Sequence, residues 1–99
     1  LRDPRALAAL EAIMTDGDPF LVSEAVKAAG KIGGPRAIEL LLIMMHHSSF
    51  MVRGEVALAI GRLDHPDRDE ILRQLLNDTS PYVVYCARIA SNQNQNKKN

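Results

Sequence analysis

The residues of this chain that could carry chemistry are three histidines, one cysteine and scattered carboxylates. A metal site needs several such ligands converging on one point. His46 and His47 are neighbours in sequence, so their side chains leave a helix or turn in different directions. His65 falls in a separate turn. All three read as solvent-facing turn residues, and no metal is expected. Cys86 is the only thiol. Nothing beside it would lower its pKa, because Arg88, two positions on, lies on another side of a helix. A lone cysteine excludes an internal disulfide framework and fits a reducing compartment. Ser23, Ser48, Ser49 and Ser80 read as turn and cap residues. Asp69-Glu70 reads as the first turn of a helix, where negative charge suits the dipole. Gly30, Gly33 and Gly34 punctuate a turn and cradle no phosphate. No catalytic residue is assigned and no cofactor is expected; the reading is a non-enzymatic protein.

With 99 residues, the chain is long enough for one domain. Its 12 Lys+Arg balance 12 Asp+Glu, so bulk positive charge cannot drive nucleic-acid binding. Arg2, Arg5, Lys27, Lys31, Arg36, Arg62 and Arg68 share one edge, but Asp3, Asp64, Asp67 and Asp69 share it too, and no aromatic interleaves them. The longest apolar run, Leu40 to Met45, is far short of the roughly 20 residues of a membrane helix. Neither nucleic acid nor a membrane is an expected partner, and a cytoplasmic location is expected. The start at Leu1 reads as the interior of a longer chain or the product of processing. Residues 91–99 are polar and biased, and are expected to form a flexible tail outside a domain spanning 1–90.

A shift of 31 residues aligns the chain with itself without a gap. Identical pairs include Glu24/Glu55, Ala28/Ala59, Gly30/Gly61, Pro35/Pro66 and Leu41/Leu72. The period reaches outward to Pro4-Arg5-Ala6 and to Ser80-Pro81-Tyr82-Val83. Each period reads as two helices. The first begins after a cap at Asp18, Ser49 or Ser80, with Pro19 and Pro81 at the first helical position. Apolar residues at 21, 25, 28, 29 and 32, repeated at 52, 56, 59, 60 and 63, mark one helical face. Gly33-Gly34-Pro35 and Asp64-His65-Pro66 end this helix and start the second. The expected helices cover roughly 4–15, two pairs over 19–47 and 50–77, and 81–91. A single pair cannot bury both faces, but stacked pairs can. The expected fold is therefore all-α: a short α-solenoid of antiparallel helix pairs.

The segments DPFLVSEAVKAAGKIGGPRAIELLLIMM and FMVRGEVALAIGRLDHPDRDEILRQLLND resemble the HEAT-like repeats, in particular the short subclass named after phycobilisome lyases. The resemblance covers residues 3–90. It implies a scaffold whose second helices line a concave side. It also implies, as the alternative, a bilin lyase-like or chromophore-handling subunit for light-harvesting proteins. The branch of the family that hydroxylates deoxyhypusine holds iron with His-Glu pairs, and this chain has no His-Glu dipeptide. Repeats of this kind pair an Asp at the end of the second helix with an Arg six residues on. The equivalent pairs here are Asp16/Val22, His47/Arg53 and Asp78/Val84, so no repeat holds both partners. Arg53 is expected to bond Asp16 or Asp78 of a neighbouring repeat.

On the second helices, positions 39, 42 and 43, and 70, 73 and 74, face outward by register. They read Glu39-Leu42-Ile43 and Glu70-Arg73-Gln74. Leu42 and Ile43, rimmed by Arg36, Glu39, Glu70, Arg73 and Gln74, make an expected docking spot for a protein partner. The open ends are a second candidate. Tyr82, Tyr85 and Ile89 form an i, i+3, i+7 stripe where Ser23 and Lys27 stand in the first repeat, which points to self-association into a homo-oligomer. Cys86 shares its register with Glu24 and Glu55, so a partly exposed thiol is expected.

Overall fold

The computed structural model describes the backbone of residues 4–98 and the side chains of residues 5–93. Six helices follow one another: α1 (Pro4–Asp16), α2 (Pro19–Ile32), α3 (Gly34–Met44), α4 (Phe50–Arg62), α5 (Arg68–Leu76) and α6 (Pro81–Lys98). The described residues contain no strand. Helices α2, α4 and α6 are the first helices of the repeat, and α1, α3 and α5 the second. The fold is the short all-α solenoid that the period predicts.

Local chemistry sets the boundaries. Asp18 Oδ1 accepts the Leu21 N–H at 3.0 Å, and Pro19 opens α2. Ser49 makes no such side-chain bond, so its expected cap is corrected. The chain is fastened one step earlier there, where the Ser49 N–H donates to His47 Nδ1 at 3.0 Å. The Ser80 N–H donates in the same way to Asp78 Oδ1 at 2.8 Å. Between α2 and α3 the backbone turns through Gly33 (φ 71°) and Gly34 (φ 87°), a left-handed region that side chains disfavour. Asp64 and His65 replace these glycines in the next repeat, and the α4–α5 link is longer. There the Asp67 N–H donates to His65 Nδ1 at 3.1 Å, and Arg68 Nη1 donates to the Leu63 carbonyl at 2.7 Å.

The first helices pack into a close row because small residues meet. A Cβ on Gly30 would stand 2.8 Å from Ala59 Cβ, and one on Gly61 2.5 Å from Ala90 Cβ. The two contacts are related by the period. A third close approach sets Gly54 beneath the Tyr82 ring and Cys86. Val22, Val26, Leu41, Val52, Val56, Ile60, Leu72 and Val83 fill the space between the two rows. Burying each such side chain contributes about 1.5–3 kcal/mol. The second row is looser: the backbone of α3 comes close to that of α1 but less close to that of α5.

Three expectations are corrected. Helix α6 continues past 91 to Lys98. No Gly or Pro follows Pro81 to stop it, and Gln and Lys sustain a helix well. Cys86 is buried rather than partly exposed, because it packs over Gly54, which has no side chain to hold it off. Leu21, assigned to the buried face, is 49% exposed. Its equivalents Val52 and Val83 are fully buried, each on a helix that follows another first helix in the row, whereas no described helix precedes α2 there.

Candidate partner-binding face

The outward side of the second helices carries most of the residues singled out for binding. Arg36 at the start of α3 donates to Glu39 Oε1 at 2.9 Å and reaches across to Glu11 Oε2 of α1 at 2.8 Å. Those hydrogen bonds, to Glu39 first and then Glu11, raise the Arg36 pKa further above its ordinary value. On α5, Arg73 bonds Glu70 one turn back, and Gln74 is exposed beside them. The charges expected to rim the spot are thus already engaged, Arg36 with Glu39 and Glu11, and Arg73 with Glu70.

Its apolar centre is smaller than the sequence implies. Ile43 is 58% exposed, one turn beyond Glu39 on the same stripe of α3. Leu42 does not stand beside it in solvent. It lies three residues before buried Met45 and packs against the edge of the core. A one-residue step turns a helix by about 100°, enough to move a side chain from the outer stripe to the core margin. The outward assignment of Leu42 is corrected, and Ile43 alone carries the exposed apolar surface there.

The α6 stripe is divided too. Tyr82 lies over Gly54 and meets Phe50 edge-to-face, ring centroids 5.9 Å apart. Tyr85 is exposed and Ile89 half-buried. Phe20 and Phe50 are exposed as well, so all four aromatic residues reach solvent, at or near the starts of first helices. The sequence reading missed Phe20 and Phe50. Their signal was present: an aromatic within two residues of each expected cap has no place on the core-facing stripe.

Arg53 is bonded as one of the two alternatives required. Its Nε donates to Asp78 Oδ2 at 2.8 Å and its Nη2 to Asp78 Oδ1 at 3.1 Å. Nη1 also donates to the carbonyls of His47 and Ser48. One guanidinium therefore ties the α3–α4 turn to the α5–α6 turn. The Arg53 hydrogen bond holds the Asp78 carboxyl below the usual carboxylate range, and Asp78 in turn raises Arg53. His47 and His65 use their Nδ1 atoms to accept backbone N–H groups. Among the described residues, no three His, Cys, Asp or Glu side chains converge as a metal site. Burial pushes the Cys86 thiol up, with Tyr82 acting against it. No helix among the described residues is long and apolar enough to cross a membrane.

Residues 1–50 match the family of HEAT repeats, and residues 52–78 match the PBS lyase HEAT-like repeat. The chain belongs to the HEAT-repeat family. Among curated proteins, none matches it. It is built as a HEAT-repeat solenoid, with two helical rows, periodic glycine–alanine contacts and an inter-repeat Arg53 clamp.

Proposed function

We propose that this HEAT-repeat chain is a non-enzymatic docking module that binds a protein partner on the outward face of its second helices. In repeats of this kind the second helices line a concave side, which supports the choice of that face. Ile43 is the anchor, with Arg36, Glu39, Glu70, Arg73 and Gln74 around it and Leu42 as its floor. The observation that carries the reading is that Ile43 is exposed on a helix whose own Arg36 and Glu39 already pair with each other. Such a rim can be partly dehydrated by an incoming apolar surface without leaving an isolated charge. The test is capture of a partner from native extract by the wild type and by Ile43→Ser. The partner is retained by the wild type and lost with the variant, while the two melt alike. Equal capture by both would move binding elsewhere.

The match of residues 52–78 to the PBS lyase HEAT-like repeat supports a second reading, the handling of a bilin. Arg36, Glu39, Glu70 and Arg73 are the polar groups this face offers a tetrapyrrole. A visible absorbance shift on mixing with bilin would favour that reading over protein docking. Self-association through Tyr85 and Ile89 is a further proposal; a monomeric mass in light scattering at high concentration would end it.

A further inference from the structure

In α2, Lys27 donates to Glu24 Oε2 at 3.3 Å, one turn apart on the solvent side of the helix. The period carries this pair onto Glu55 and Leu58 of α4. Glu55 keeps the carboxylate, but a leucine stands where its cation would be. The loss is visible: Glu55 Oε2 is buried and has no hydrogen-bond partner among the described residues. The other cations of α4 do not serve it. Arg53 is committed to Asp78, and Arg62 lies two turns farther on. Lys27 is held by Glu24. A covered carboxylate oxygen without a donor is costly, and calls for a partner that the helix itself no longer supplies.

The surroundings of Glu55 are apolar and aromatic. Exposed Met51 precedes it by one turn and half-buried Leu58 follows it by one. The Tyr82 ring of α6 lies over Gly54, the neighbour of Glu55 in sequence, and exposed Phe50 meets that ring edge-to-face. The Tyr82 hydroxyl is raised above its ordinary pKa by its hydrogen bond with Cys86, then by burial, with Glu55 adding least. Burial raises the Cys86 thiol, Tyr82 opposes that, and Glu55 adds to it. The carboxylate is therefore within electrostatic reach of both α6 groups. Helix α4 has a first helix on each side of it, so this patch meets solvent laterally and not at an end of the row. Glu55 itself is half-buried, so solvent reaches the residue. A carboxylate beside an aromatic ring attracts a cation twice, through its charge and through the ring quadrupole. A small free cation would leave Phe50, Met51 and Leu58 as they are. A cationic side chain on a polypeptide brings apolar neighbours to cover them.

We infer that Glu55, with the Tyr82 ring and the apolar residues Phe50, Met51 and Leu58, forms a site for a lysine or arginine side chain of a partner protein, flanked there by apolar residues. The site lies on the first helices and is independent of the face proposed for docking on the second. The probes are the capped peptide Ala-Leu-Arg-Leu-Ala, its lysine and glutamine counterparts, and arginine amide. Binding is read from the Gly54 and Tyr82 amide resonances of the full, isotope-labelled chain. The arginine and lysine peptides are expected to shift both resonances, and the glutamine peptide to bind about tenfold more weakly. Glu55→Gln in the chain is expected to remove that preference. Leu58→Lys restores the pairing seen in α2 and is expected to weaken the arginine peptide about tenfold by filling the site from within. Ile43→Ser, on α3, is expected to leave binding unchanged. Circular dichroism confirms that each variant is folded. No binding, equal binding of the glutamine peptide, or binding indifferent to Glu55→Gln and Leu58→Lys overturns the inference. Arginine amide binding as tightly as the arginine peptide overturns the choice of a protein-borne side chain.

Discussion

Arg53 does for the solenoid what a regular ladder of paired charges does elsewhere. It joins two turns through one guanidinium with both Asp78 oxygens and two carbonyls. Hydrogen bonds to charged groups contribute about 1.5–3 kcal/mol each. Arg53→Ala is therefore expected to cost about 2–3 kcal/mol, seen as a fall in Tm of about 10 °C or more. The pH dependence follows from the depressed Asp78 pKa. A carboxyl lowered by folding contributes stability above its unfolded value and loses it as pH falls through the folded value. Denaturant midpoints should therefore decline below about pH 4. Asp78→Asn should start lower and show a shallower decline; parallel curves would refute the assignment. Cys86 is expected to resist alkylation in the folded chain and to react once urea opens α4 and α6, because burial keeps it a thiol. The Arg53 contact was legible in the sequence as a choice of two partners, because the missing local Asp forced a longer reach. The burial of Cys86 was not, since it depends on Gly54 having no side chain, a property of the facing helix.

At the scale of the element, glycine inside a helix ordinarily costs about 0.5–1 kcal/mol relative to alanine. In α4 the sign reverses. Gly61→Ala would set a methyl group against Ala90 Cβ and Cα. The expected outcome is a loss of about 1–3 kcal/mol by urea unfolding. Adding Ala90→Gly to that variant should restore part of it, and simple additivity of the two changes would refute the contact. Gly30→Ala meets Ala59 Cβ at 2.8 Å and its Cα only at an ordinary 3.6 Å, and is expected to cost less. These glycines were visible in the sequence as identical repeat positions, and their alanine partners as small residues. What pairs them is the spacing of α2, α4 and α6, which no single helix encodes. The helix types and turns followed from capping residues and apolar period. The end of α6 did not, because Gln and Lys sustain a helix as readily as a tail.

For the whole molecule, Ile43→Ser should leave Tm nearly unchanged, since an exposed substitution away from special features shifts stability by only about 0.5 kcal/mol. A large loss of Tm would mean that α3 is held from its outer side. The pair Leu42 and Ile43 shows where register reading stops. Period alone placed both outward, whereas the width of the core stripe, set by how α3 leans on its neighbours, took Leu42 back. The two rows also differ mechanically. Glycine–alanine contacts bind α2, α4 and α6 along a spine, while the backbones of α3 and α5 keep farther apart, like the fore-edges of pages. A body sewn on one side and loose on the other has one compliant direction. Its cheapest distortion is a fanning of α3 from α5. Spin labels at Glu39 and Gln74 should therefore report a broader distance distribution than a pair on α4 and α6, and the span of the face proposed for docking would be an adjustable width.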